Sequence, residues 1–203
     1  MLTLDQDTPI ALSSLLAYYA GCAAYPQLDR VGVFGVNLQF KTTRKSLAKN
    51  QMSLPPYSEV RQVMTSGNLV RLSFLKEINF YNEALFIDRV DDDMCIRMHR
   101  AGYLVIRLNR ILVPHALGKQ TRVFTGFCFK NKAIHSPQRM YTMMRNTLYM
   151  IKWYPEYKTC YRKKIRTYIK YALRYSAGER KAKILALWQG YKDYKQGIMG
   201  PKP

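Results

Sequence analysis

With 203 residues, 48% of them hydrophobic, the chain is long enough to bury a core and too apolar for a disordered tail. Its 33 Lys and Arg against 13 Asp and Glu leave a net charge of +20, and the excess is lopsided: residues 1–93 sum to −1 and residues 94–203 to +21. The basic half points to a polyanionic partner such as a phosphorylated substrate, anionic lipid or nucleic acid. Four cysteines, Cys22, Cys95, Cys128 and Cys160, form no Cys-x-x-Cys pair and have no histidine at zinc-ligand spacing, so they read as reduced thiols of a cytosolic protein.

In chain order, "LTLD" reads as a strand ending in the carboxylate pair Asp5 and Asp7. Thr8 and Pro9 form an N-cap and first-turn pair, which predicts a helix over "TPIALSSLLAYYAG". Residues 8–28 carry no charge, but Ser13, Ser14, Gly21 and Pro26 leave them short of a membrane span, and the expectation is a buried helix. "VGVFGVNLQF" has strand composition, and the polar "KTTRKSLAKNQ" after it reads as a loop. "VRQVMTSGNLV" predicts a strand broken at Ser66 and Gly67, followed by a short helix through "SFLKEI". The acids of "FIDRVDDDMCIRMHRAGY" at a helix start and Gly102 at its end suit the helix dipole. Two apolar strands, "YLVIRL" and "ILVPH", follow, and the alternation argues for an α/β sheet. From Ser136 the pattern is helical only. Ser136 and Pro137 cap one helix that stops at Pro155, a basic amphipathic helix follows, and a last one spans "ERKAKILALWQGYKDYK".

Several of these residues could carry chemistry. In a strand, Asp5 and Asp7 share a face and could converge on Mg²⁺ or Mn²⁺ at a sheet's carboxyl end, although Asp-x-Asp is also an ordinary turn sequence. Asp91, Asp92 and Asp93 cap a helix without any further role, but two acids would cap as well as three, and a carboxylate crowded by like charge is a better base. The Thr65–Asn68 turn, "TSGN", lets backbone N–H groups approach a phosphate or sugar, as many tight turns would. His115, ending an apolar strand, is either a structural residue or a metal ligand.

The ordered series "LDQDT", "TSGNLVRLSFLKEI", "FIDRVDDDMCIR", "GYLVI", "ILVPHALG" and "HSPQRMYTMMRN" resembles family-2 inverting glycosyltransferases of the GT-A fold, and among them bacterial rhamnosyltransferases. The resemblance implies that Asp5 and Asp7 grip a nucleotide-sugar diphosphate through Mg²⁺ or Mn²⁺, with His115 near the metal. It places the general base at Asp91 and the substrate contacts at Ser66, Gly67, Asn68, Asp93 and Arg97. The implied donor is a nucleotide sugar, dTDP-rhamnose, and the implied acceptor a glycan or lipid-linked glycan of O-antigen, capsule or another surface polysaccharide. Two positions depart from the family pattern: "NFYNE" stands where Gly-Phe-Asp-Glu is usual, and Asp93 replaces a Glu. Such enzymes carry a βαβ region before the Asp-x-Asp strand. The expected architecture is therefore an N-terminally truncated GT-A-like mixed sheet over residues 1–134, followed by an all-helical basic appendage over residues 135–203.

The basic helices suit a cytoplasmic enzyme resting on the inner face of the cell membrane, held by anionic lipid, and equally an ordinary solvated helix face. One alternative is a catalytically incomplete fragment of such an enzyme. Another is a basic nucleic-acid-binding protein, disfavoured because no nucleic-acid motif appears and the acid clusters would repel phosphate.

Overall fold

A computed structural model describes residues 1–6, 8–40, 54–115, 120–124, 129–133, 135–174 and 178–201. The chain divides into two compact units, one of residues 1–81 and 91–117 and the other of residues 82–90 and 118–203.

The first unit is a mixed α/β layer structure. Its strands β1 (Leu2–Thr3), β2 (Val31–Phe40), β3 (Tyr57–Glu59), β4 (Asn68–Val70) and β5 (Leu104–His115) form one sheet in the order β1-β4-β2-β5-β3. β2 and β5 run parallel, and the other pairings are antiparallel. Because β4 is antiparallel to both β1 and β2, the strands β1, β2 and β5 all end at the same edge. Helices α1 (Leu12–Ala23), α2 (Leu72–Glu77) and α3 (Val90–Arg100) cover the sheet.

The period of two along the strands sends alternate side chains to two cores. Val33 and Val105 pack with Leu75 of α2 and with Met94 and Met98 of α3, whereas Phe34 and Ile106 pack with Tyr18 and Cys22 of α1. Tyr18 fixes α1 to the sheet, since its buried hydroxyl donates to the Phe34 carbonyl (2.7 Å) and accepts from the Leu69 N–H (3.0 Å). Burial is the main reason its ionisation is pushed far up.

Four expectations need correction here. First, α1 begins at Leu12 with Ala11 as N-cap, not at Thr8 and Pro9. The Thr8 hydroxyl is bonded to Ser66 instead of capping a helix. Second, α1 is not a buried helix, because only Tyr18 and Cys22 are buried while Leu12, Leu16 and Tyr19 lie exposed. Third, residues 60–64 are not a strand; the strands are the short β3 and β4 on either side. Fourth, "YLVIRL" and "ILVPH" belong to one strand, β5, which absorbs its polar middle through a register irregularity opposite Val36 and Asn37. The "KTTRKSLAKNQ" segment lies outside the described residues.

The second unit holds a hairpin that the sequence reading missed, β6 (Gln120–Phe124) with β7 (Phe129–Ala133), and three helices. These are α4 (Pro137–Trp153), α5 (Lys158–Arg174) and α6 (Arg180–Gln196). Ser136 caps α4 by accepting from the Arg139 N–H (3.2 Å), and Gly197 ends α6 in the left-handed conformation (φ 78°). Met140, Met144, Tyr168, Ala172 and Leu187 form the core of this unit. Residues 82–90 belong with it because Asn146 of α4 donates to the carbonyls of Leu85 (2.7 Å), Ile87 (2.7 Å) and Asp88 (3.1 Å). Among the described residues, no helix is long and apolar enough to cross a membrane.

Candidate active site

The turn at residues 65–68 lies at the edge where β1, β2 and β5 end, because Thr3 of β1 pairs with Asn68 of β4. The Thr3 hydroxyl donates to the Thr65 carbonyl (2.6 Å), and the Gly67 N–H donates to the Thr3 carbonyl (2.8 Å). Gly67 sits at φ +81°, where a β-carbon would also collide with Val36, so glycine is required at this corner.

Two acidic residues meet this turn, Asp5 through its backbone and Asp91 through its carboxylate. Asp5 is exposed just past the end of β1, in a turn closed by the Thr8 N–H on the Asp5 carbonyl (3.0 Å). Its N–H donates to the Ser66 hydroxyl (3.3 Å), which donates in turn to the Thr8 hydroxyl (2.7 Å). Asp5 therefore lies outside the strand, and the strand-face argument for Asp5 and Asp7 does not apply. Asp7 itself lies outside the described residues. Asp91, in the first turn of α3, accepts a hydrogen bond from the Thr65 hydroxyl.

The three adjacent aspartates have different surroundings. Asp92 and Asp93 are buried, whereas Asp91 keeps partial access to solvent. Asp93 accepts from Arg97 Nε (2.8 Å) one helical turn on, and Arg97 also donates to the Ile78 carbonyl. Of the trio, Asp91 is the one with room to meet a ligand. Among the described residues the buried Tyr81 hydroxyl has no hydrogen-bond partner, and its pKa is pushed up to about 12, mainly by burial and then by the charge of Asp91.

The remaining candidates divide between exposure and support. Ser66 and Asn68 are buried, with Ser66 spending its hydroxyl on Thr8 and Asp5. His115 ends β5, opposite Phe40 at the end of β2, on the same sheet edge as Asp5; its side chain lies outside the described residues. Among the described residues, no group of three or more His, Cys, Asp or Glu could hold a metal ion. The donor that is described, the exposed Asp5 carboxylate, is a hard oxygen of the kind that Mg²⁺ or Mn²⁺ takes.

In the helical unit, the sequence reading passed over Asp88. Its carboxylate accepts from Arg139 (3.1 Å) and from the Thr142 hydroxyl (3.1 Å), and it occupies a left-handed position (φ 63°). The signal was present in "HSPQRMYTMMRN": the Arg, Thr and Asn of that motif all face residues 85–88.

Against known proteins, residues of this chain match the dTDP-rhamnosyl transferase RfbF of Shigella flexneri at 29% identity over 116 residues. The match takes in 57% of this chain and 38% of the relative, so the chain spans well under two thirds of that protein's length. No family model and no solved structure matches the chain. The similarity is distant and of a glycosyltransferase kind, and the fold it accompanies is α/β with a five-stranded mixed sheet.

Proposed function

We propose that the chain carries the catalytic part of a GT-A-type inverting glycosyltransferase. It moves a sugar, rhamnose from dTDP-rhamnose, to a glycan or lipid-linked acceptor in surface-polysaccharide synthesis. The observation that supports this reading most is the meeting of three separate sequence motifs at one sheet edge: Asp5 through Ser66, and Asp91 through Thr65. The similarity to a rhamnosyl transferase supports the same reading and the choice of sugar.

In this scheme the Asp91 carboxylate takes the proton of the acceptor hydroxyl. The acceptor oxygen forms a bond to the anomeric carbon from the face opposite the diphosphate. The bond from that carbon to the diphosphate oxygen breaks, the electron pair leaves with the nucleoside diphosphate, and the anomeric configuration inverts. Asp5 and Asp7 would hold a Mg²⁺ or Mn²⁺ ion, whose chemistry when bound is to neutralise negative charge on a diphosphate. The Thr65 hydroxyl orients Asp91, and the Arg97 guanidinium pairs with the buried Asp93 in the first turn of α3.

The test separates the two acid groups. Asp91→Asn is expected to lower transfer by about 10²-fold or more while leaving nucleoside diphosphate binding with Mn²⁺ intact by calorimetry. Asp7→Ala is expected to weaken both. Equal loss of nucleotide binding in the two variants would contradict the assigned roles.

A further inference from the structure

The helical unit presents an apolar surface that none of the chemistry above uses. On α5, Ile165, Ile169 and Leu173 form a stripe at helical spacing, and Ile184, Trp188 and Tyr191 do the same on α6. With Leu148 of α4 they line an open groove of about 390 Å³. Its walls are exposed to an unusual degree for such side chains: Leu173 is 49% and Trp188 55% accessible.

A second stripe, Arg166, Lys170 and Arg174, runs one position along from the first on α5 and shares a hollow with Ile169 and Leu173. On the α6 side, Lys192 lies over the Trp188 ring at 4.4 Å. The acids available to offset these cations on α5, α6 and the connection between them are Glu179 and Asp193, and both are engaged. Glu179 pairs with Lys183 (3.0 Å), while Asp193 is buried and accepts from Tyr141 (2.6 Å) and Gln189 (2.6 Å). The apolar floor therefore has a cationic rim.

That combination narrows the occupant. A second copy of this face would set cation against cation. A soluble polyanion satisfies the rim but gains nothing from a floor of Ile, Leu and Trp. An anionic lipid surface satisfies both, since headgroup phosphates meet the Lys and Arg while the apolar side chains enter the boundary of the acyl region, where Trp and Tyr are at home. We infer that the α5–α6 face is a docking surface for an anionic phospholipid bilayer, with Ile169, Leu173 and Trp188 as the inserting side chains and Arg166, Lys170 and Arg174 as the headgroup contacts. This inference rests on charge and apolar area alone, independently of the transferase reading.

Co-sedimentation with phosphatidylcholine vesicles, with and without phosphatidylglycerol, tests it on the full chain. Binding is expected to be at least ~tenfold stronger on the anionic vesicles. In a Trp153→Phe background, Trp188 emission is expected to move to shorter wavelength on binding. Leu173→Gln with Trp188→Gln is expected to lose ~tenfold in vesicle binding at unchanged circular dichroism, and Lys170→Glu with Arg174→Glu is expected to remove the preference for anionic lipid. The proposal is overturned if the Gln pair binds vesicles as well as the parent protein does. It is equally overturned if RNA displaces the vesicles with no change in Trp188 emission having occurred, or if ultracentrifugation finds the face closed in a dimer that vesicles do not dissociate.

Discussion

At the scale of single residues, neighbouring aspartates of one helix turn have different expected costs. Asp93 is buried against Arg97, so Asp93→Ala leaves an uncompensated guanidinium and is expected to cost on the order of 3 kcal/mol in denaturant unfolding. Asp91→Ala removes the partly exposed hydrogen bond to Thr65, a loss expected to cost about 1 kcal/mol. Charge pattern flagged the trio without separating its members, which only the resemblance did, because their difference in cost comes from what packs over each one. The same holds for Thr8: its rank as an N-cap residue was legible, but the competing Ser66 hydroxyl, 58 positions away, was not. His135 offers a pH test. Burial, followed by the nearby Arg139 cation, holds its pKa below the ordinary value, with Asp88 opposing and Lys183 adding to the effect. The folded state therefore disfavours the imidazolium. Stability is expected to be full above about pH 6.5 and to fall as pH drops below it, a slope that His135→Gln should remove from a series of thermal melts.

At the scale of elements, α4 and α6 approach closely at Gly190. A β-carbon at Gly190 would lie 2.6 Å from the Tyr141 carbonyl oxygen and 3.3 Å from the Arg145 nitrogen, both backbone atoms that cannot swing aside. Gly190→Ala is expected to push the helices apart at a cost of about 2 kcal/mol, seen as a lowered midpoint in urea, despite the better helix propensity of Ala. Elements with their own local signals were legible: β2 to the residue from its β-rich composition, and α4 from Ser136, Pro137 and the stop at Pro155. Elements defined by partners were not. β3 and β4 are three residues each, too short for a periodic pattern, and exist because β5 and β2 supply their hydrogen bonds. β5 looks like two strands because Asn109 and Arg110 interrupt its apolar run, yet Asn109 is buried, donating to the Pro55 carbonyl and to the Ser58 hydroxyl.

At the scale of the molecule, charge is unevenly divided between the units. The helical unit holds twenty-one basic and five acidic side chains, a net of +16, and the sheet unit a net of +4. Lys and Arg do not titrate near neutrality, so vesicle association is expected to stay level from about pH 6 to 8 and to weaken steeply with added salt. The basic excess could be read from the sequence, as could the order of the motifs along the chain. What composition alone left open was the grouping of residues 82–90 with the helices, a consequence of three carbonyls converging on one Asn146 amide.

Thr65 and Ser66 are consecutive, yet one side chain reaches Asp91 and the other reaches Asp5's own backbone. A single peptide link thus separates the contacts to two acidic residues more than eighty positions apart in the chain. Swapping the Thr65 or the Ser66 hydroxyl for a methyl would cut one of these two links while leaving both acids in place.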